Sequence, residues 1–106
     1  MKLSGRIDGK TLHLEGGQLA LPKEGDGHTV FVRGENVQIV ETGPLQGTVE
    51  TVTFLGTHYR IGISGISSHV IASIHSAHQA PKVGEKINVA ITPEALMLLP
   101  KEVAAA

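Results

Sequence analysis

Short apolar segments rich in Val, Ile and Leu alternate with turns along this chain, and thirteen Gly residues separate many of them. This spacing is typical of a small all-β sandwich or barrel. The dipeptide Asp8-Gly9 predicts a two-residue hairpin turn, because both central residues of a type I′ turn have a positive φ. No segment keeps a helical period, although residues 76–80 and 93–95 are each expected to form a single turn. The predicted strands cover residues 3–7, 11–14, 18–21, 28–33, 37–40, 45–55, 57–64, 69–74, 86–92 and 96–99.

The best-defined hairpin is predicted from residues 45–55 and 57–64. Tyr59, Ile61 and Ile63 alternate with other residues, so their side chains lie on one face of a strand. The alternation between residues 48 and 54 is imperfect, which indicates a β-bulge. We expect Phe54 to be a core residue, and its truncation to Ala would then cost about 3–5 kcal/mol. The full set expected to be mainly buried is Val49, Val52, Phe54, Ile61, Ile63, Val89 and Ile91.

The sequence matches itself at an offset of 59 positions, since residues 22–40 align on residues 81–99 without a gap. Each copy consists of a turn, an apolar strand, a break that contains Glu35 or Glu94, and a short apolar strand. Chance similarity between two stretches rich in Gly and Val is the alternative explanation. Because a short β unit cannot bury its apolar face alone, we expect the duplicated units to pack on each other. They would form one domain over residues 3–99, from intertwined units at about 3–40 and 45–99, followed by a flexible tail at 100–106.

The repeat also predicts a structural role for its two glutamates. A carboxylate at the break between strands could accept backbone N–H bonds in the turn. We therefore expect Glu35→Ala and Glu94→Ala each to destabilise the fold by about 1–3 kcal/mol.

Composition excludes several classes of function. The chain has 106 residues, which is about one domain, and its only aromatic residues are Phe31, Phe54 and Tyr59. A formal net charge of −1 argues against nucleic-acid binding, which needs a surplus of Lys and Arg. The absence of Cys removes disulfides, thiolate catalysis and Cys-ligated zinc. No apolar run approaches the roughly 20 residues that span a bilayer, and the N-terminus does not resemble a signal peptide, so we expect an intracellular protein.

Three stretches carry a recognisable pattern, in order and with appropriate gaps. They are Val32-Arg33-Gly34-Glu35-Asn36-Val37, Leu45-Gln46-Gly47-Thr48-Val49-Glu50-Thr51-Val52-Thr53-Phe54-Leu55-Gly56, and Gly84-Glu85-Lys86-Ile87-Asn88-Val89-Ala90-Ile91-Thr92-Pro93-Glu94. They resemble the transport-associated OB domain (TOBE), whose pattern is V-R-P-E-x-[VI], G-x-V-x-x-V-x-[FY]-L-G and V-x-[FL]-x-P-E-x. Gly34 departs from this pattern, because Pro is usual there, whereas Pro93 fills the matching place in the second copy. The positions taken as the structural motif are Glu35, Gly47, Gly56, Pro93 and Glu94.

The resemblance implies an all-β, OB-like barrel with extra strands from the duplication. In this family the domain is the C-terminal part of the ATP-binding subunit of ABC importers, so an accessory and regulatory role in solute uptake is expected, without enzyme activity. The expected partners are the nucleotide-binding domain of the parent chain, a second copy of the ATPase subunit and, indirectly, the membrane permease. No cofactor or metal is expected in this chain, because ATP and Mg²⁺ belong to that nucleotide-binding domain. The expected location is cytoplasmic, at the inner face of the membrane.

One segment imitates an ATPase motif. Leu14-Glu15-Gly16-Gly17-Gln18 resembles L-S-G-G-Q, in which a Ser hydroxyl and a following helix N-terminus contact phosphate. Here Glu15 replaces the Ser, and Pro22 follows too soon for a helix. A phosphate-binding G-x-x-x-x-G-K-[ST] loop is also absent from the sequence. We therefore expect a β-turn at this segment and no ATP binding.

Other kinds of site are weighed as alternatives. His75 and His78, with His69 as a third ligand, could hold a metal ion, but no Asp or Glu lies between Val70 and Val83 to complete the set. As candidate nucleophiles, Ser64, Ser67, Ser68 and Ser73 are close to His residues in the sequence, but a G-x-S-x-G nucleophile elbow is absent. A free-standing domain that binds a small ligand or oxyanion remains the alternative function, since residues 65–68 could offer backbone amides and hydroxyls.

Overall fold

The computed structural model describes residues 1–76 and 80–100. Most of the turn expected at 76–80 and of the tail expected at 100–106 therefore lies outside the described residues. Within the described ranges, no helix has the length and apolar character needed to cross a bilayer.

The strands are β1 Lys2–Leu3, β2 Arg6–Asp8, β3 Thr11–Leu14, β4 Gly17–Ala20, β5 His28–Phe31, β6 Gln38–Val40, β7 Leu45–Phe54, β8 Tyr59–Ser64, β9 Ile71–His75, β10 Lys86–Ala90 and β11 Met97–Pro100. Two 3-10 turns cover Gly34–Asn36 and Pro93–Ala95.

The strands form two antiparallel sheets. The larger sheet has the order β2-β3-β4-β7-β10-β6, and β8 branches from β7 to pair with β9. The smaller sheet has the order β1-β5-β11. The larger sheet curls around the core, so the predicted all-β, OB-like barrel is confirmed. The turn predicted at Pro93–Ala95 is present as well.

The first predicted strand, at residues 3–7, is in fact two strands in different sheets. β1 pairs with β5, whereas β2 pairs with β3. Between them, the Ser4 N–H donates to the Ser67 hydroxyl at 2.9 Å. The break occurs because a side chain from a distant loop takes the place of a strand partner.

The predicted β-bulge lies in β7, where the register with β8 shifts between Val49 and Thr51. Beyond the bulge, Val52 pairs with Ile61 and Phe54 pairs with Tyr59. Phe54 is nevertheless 63% exposed, so its expected burial is wrong. The hairpin extends past the core, and the Phe54 ring contacts the Tyr59 ring, with 5.1 Å between centroids.

The core consists almost entirely of aliphatic side chains. The predicted burial of Val49, Ile61, Ile63, Val89 and Ile91 is confirmed, whereas Val52 is only half-buried. The other buried core residues are Leu3, Leu12, Leu19, Leu21, Val30, Val32, Val37, Leu45, Ile66, Ile71, Ile87 and Leu96.

Strand pairing follows the internal repeat. The first strand of each copy pairs with the second strand of the other, because β5 pairs with β11 and β10 pairs with β6. Val30 lies opposite Leu98, and 59 positions away Val89 lies opposite Ile39. The two copies therefore exchange strands with the same register, as a pseudo-two-fold arrangement requires.

Candidate functional site

Glu35 and Glu94 occupy equivalent positions in the two 3-10 turns. The turns are closed by Val37 N–H donating to the Gly34 carbonyl at 3.2 Å and by Leu96 N–H donating to the Pro93 carbonyl at 3.1 Å. Both glutamates are exposed, and neither turn has a side-chain cap. The expected carboxylate bonds to backbone N–H groups are therefore absent from these turns. That expectation is wrong because each turn is already closed by its own backbone.

The Gly at position 34 has a packing explanation. A Cβ at Gly34 would lie 3.2 Å from the Ala72 carbonyl oxygen and 3.2 Å from the Ile74 Cγ1, both on β9. A Cβ there would require the turn or β9 to shift by a few tenths of an ångström. The first turn, which carries Gly where the second copy carries Pro93, packs against β9.

Gly47 and Gly56 are required in the β7–β8 hairpin for different reasons. A Cβ on Gly47 would lie 2.5 Å from Ile63 Cγ2 and 2.8 Å from the Ser64 carbonyl oxygen, so the strand can approach only without a side chain. Gly56 has φ of 98° in the hairpin turn, where the Leu55 N–H donates to the His58 carbonyl at 2.7 Å. A positive φ of this kind favours Gly. Both residues shape the hairpin and carry no reactive group.

Two serines that were weighed as nucleophiles form structural hydrogen bonds. Ser73 is 1% exposed, and its hydroxyl donates to the Val37 carbonyl. Ser67 is 3% exposed; its hydroxyl accepts from Ser4 N–H and donates to the Ser4 carbonyl at 3.3 Å. Both hydroxyls are committed to backbone groups that are distant in sequence. Sequence reasoning missed these roles, because nothing in the local pattern distinguishes them from exposed serines.

The segment that imitates an ATPase motif forms the turn between β3 and β4. The predicted turn is present, and because Leu14 pairs with Gly17 its central residues are Glu15 and Gly16. The Gly16 N–H donates to the Ile66 carbonyl at 3.2 Å, and its carbonyl accepts from Gln46 N–H at 2.9 Å. The Gly16 N–H, which could otherwise donate to a phosphate, is thus occupied by a contact within the fold.

The histidines are dispersed. His75 lies at the end of β9, His69 is exposed before that strand, and His78 lies outside the described residues. Among residues 1–76 and 80–100, no group of three His, Asp or Glu side chains is placed to hold a metal ion.

One surface cleft has several charged side chains on its wall, and another is lined by the candidate residue Glu35. The first cleft, of about 430 Å³, opens beside Ser4 and Gly5, which connect β1 to β2. Its lining includes Lys2, Arg6, Asp26 and His28. The second, of about 270 Å³, separates β6 from β9 and has Glu35 on its wall.

The five motif residues do not converge on one point. No hydrogen bond or ion pair joins any two of them in the part of the chain that the structure describes, and Glu35 instead lies 4.0 Å from the Arg33 guanidinium. They mark the two turns and the hairpin that define the architecture. In a comparison with protein families, the family described as "TOBE domain" matches residues 30–99, about two thirds of the chain.

Proposed function

This chain belongs to the TOBE domain family, and from that premise we propose that it is an accessory and regulatory domain of the ATP-binding subunit of an ABC importer. Such domains are often part of transporter ATPases. In this role the chain has no catalytic centre. It packs beside the nucleotide-binding domain, supports the pairing of two ATPase subunits and regulates solute uptake.

The family match carries the proposal, and the packing of the motif residues agrees with it. Gly47 and the two 3-10 turns serve the fold, so the shared motifs define a scaffold and leave its surface free to vary. A scaffold of this kind suits a domain that works through contacts with neighbouring domains. Cargo selection then belongs to other subunits.

The proposal predicts that the isolated chain neither binds nor hydrolyses ATP. The sequence has no phosphate-binding loop, and Glu15 stands where phosphate would approach the imitated motif. Equilibrium dialysis with Mg-ATP should give no retention at micromolar nucleotide. Micromolar binding would contradict the assignment.

The cellular test uses an antibody raised against this chain. Membranes from cells that make the protein are photolabelled with 8-azido-ATP, and the antigen is then immunoprecipitated. We expect the antigen to sediment with the membranes on a polypeptide that carries the label. An unlabelled antigen no larger than this chain, found away from the membranes, would reject the proposal.

A second candidate, binding of a small anion, is favoured by the cleft beside β1 and β2. Lys2, Arg6 and His28 line it, against a single carboxylate from Asp26. Residues 65–68, which the sequence suggested for this role, are less suitable because the Ser67 hydroxyl is bonded to Ser4. Isothermal titration with molybdate and citrate tests the candidate. Binding heat that is seen with the wild-type chain and lost in Lys2→Ala and Arg6→Ala would support this candidate. No binding heat with the wild-type chain at millimolar anion would rule it out.

A further inference from the structure

A cleft of about 270 Å³ lies where the larger sheet does not close on itself. β6 pairs with β10 and β9 pairs with β8, but in the described part of the chain no strand ladder joins β6 to β9. The two strands run in the same direction, because each is related to β7 through one intervening antiparallel strand. At one end they are joined by the Ser73 hydroxyl, which donates to the Val37 carbonyl. We call the space between them the β6–β9 cleft.

The walls of the cleft combine apolar side chains with hydrogen-bonding groups. The apolar lining is Val37, Ile39, Val40 and Ile74. The side chains that can form hydrogen bonds are Glu35, Gln38, Ser73, His75 and Ser76. Because Ser73 is already bonded to Val37, a carboxylate, an amide, an imidazole and one hydroxyl face a ligand. A few polar groups on an apolar lining are typical of small-molecule sites, and the volume is near the lower end of their range, roughly 300–1,000 Å³.

The first 3-10 turn places Glu35 on this wall. Gly34 lies against the Ala72 carbonyl and the Ile74 side chain of β9, so the turn stays close to the strand. The Glu35 carboxylate is 4.0 Å from the Arg33 guanidinium, which is beyond hydrogen-bond distance. The carboxylate can therefore accept hydrogen bonds from a ligand in the cleft.

Three ring side chains form a row beside the cleft. Phe54 pairs with Tyr59, and Tyr59 pairs with His75, so the rings are neighbours on one face of β7, β8 and β9. Phe54 is exposed, and Tyr59 and His75 are half-buried. We call these residues the ring row, and His75 connects it to the cleft because it also lines the cleft. The negative face of an aromatic ring attracts the C–H groups on the apolar side of a sugar.

We propose that the β6–β9 cleft binds a neutral carbohydrate, with one sugar unit in the cleft and the next on the ring row. Sugar hydroxyls both donate and accept hydrogen bonds, and Glu35, Gln38 and His75 offer both kinds of partner. The described lining has this one carboxylate and no Lys or Arg, so it repels phosphate and other anions. The site therefore differs in ligand chemistry from the cleft beside β1 and β2. The inference does not rest on the transporter role.

The test is titration of the isotopically labelled chain with glucose, maltose and cellobiose, followed by amide chemical shifts. We expect saturable shifts at Gln38, Ile39, Ile74 and His75, with a dissociation constant of about 1 mM. The two disaccharides should also shift Tyr59, because their second ring reaches the ring row. Arg6, in the other cleft, should remain constant.

The internal repeat supplies a matched control. Glu35→Ala should weaken sugar binding about tenfold, since a hydrogen bond to a charged acceptor is lost. Glu94→Ala removes the same side chain from the equivalent turn of the other copy and should leave the dissociation constant unchanged. Both variants should fold, because both carboxylates are exposed. Tyr59→Leu keeps an apolar side chain but removes a ring, so it should weaken disaccharide binding more than glucose binding.

Several results would overturn the inference. They are no shifts with any of the three sugars well above millimolar concentration, shifts confined to another surface, or equal effects of Glu35→Ala and Glu94→Ala. Saturable shifts of the same amides with molybdate would identify an anion site and would overturn it as well. All of these results would leave the proposed function standing, because the photolabelling test does not depend on a sugar.

Discussion

At the scale of single residues, Phe54 and Ile61 occupy one hairpin with opposite environments. Phe54 is 63% exposed, whereas Ile61 is 0% exposed. We predict that Phe54→Ala lowers the free energy of unfolding by no more than about 1 kcal/mol, chiefly through lost contact with the Tyr59 ring. Ile61→Ala should lower it by about 2–5 kcal/mol, because a buried cavity results. Urea denaturation of both variants measures the difference, and equal losses would contradict the structure.

Ser73 provides a second test at this scale. Its hydroxyl satisfies the Val37 carbonyl inside the core, and Ala would leave that oxygen without this partner. We predict that Ser73→Ala costs about 1–3 kcal/mol of unfolding free energy. Ser68 is exposed, so Ser68→Ala should change stability by less than about 0.5 kcal/mol. Matching thermal denaturation curves for the two variants would show that the Ser73 hydroxyl is dispensable.

At the scale of elements, the two 3-10 turns owe their shape to their backbones and to their apolar neighbours. Glu35 and Glu94 are exposed, whereas Leu96, just after the second turn, is 5% exposed. We predict that Glu35→Ala and Glu94→Ala each change the unfolding free energy by less than about 0.5 kcal/mol. Leu96→Ala should cost about 2–5 kcal/mol. A loss above 1 kcal/mol for either Glu variant would restore the role that the sequence suggested.

At the scale of the whole molecule, the exchange of strands makes the two halves depend on each other. Val40 ends β6 and Leu45 begins β7, so a cut after Thr42 separates the two copies. The ladders β4–β7, β5–β11 and β6–β10 all cross this cut. Neither half has a complete sheet around a core, and isolated strand pairs are marginal in water.

We therefore predict that peptides 1–42 and 43–106 are each unfolded and regain the β structure when mixed. Far-ultraviolet circular dichroism of the separate and mixed peptides measures this. A second cut, after Gly56 in the exposed hairpin turn, serves as a comparison. Its two peptides must also associate, because β7 and β8 pair across that cut. Independent folding of either half from the first cut would show that the copies do not need exchanged strands.

The sequence by itself determined the fold class and most strand positions. Val, Ile and Leu in short alternating runs, with Gly between them, encode strands locally, because side-chain alternation and turn geometry depend on near neighbours. The offset of 59 positions indicated a duplication, and the Thr48–Phe54 stretch indicated a bulge. The motif residues Gly47 and Gly56 were identified through the resemblance to the TOBE pattern, and the structure gives the packing and turn geometry that require them.

Tertiary structure alone decided which apolar residues lie outside the core and which polar ones lie within it. Phe54 alternates like a core residue, but its part of the hairpin extends beyond the barrel. Ser67 and Ser73 resemble exposed serines, but chain segments distant in sequence bring backbone groups to their hydroxyls. Likewise, the offset of 59 aligns Gln38 with Met97, but only the pairing of strands between the copies shows that the two residues occupy equivalent places in the two sheets. Burial and pairing depend on where remote segments meet, and a local pattern does not contain that information.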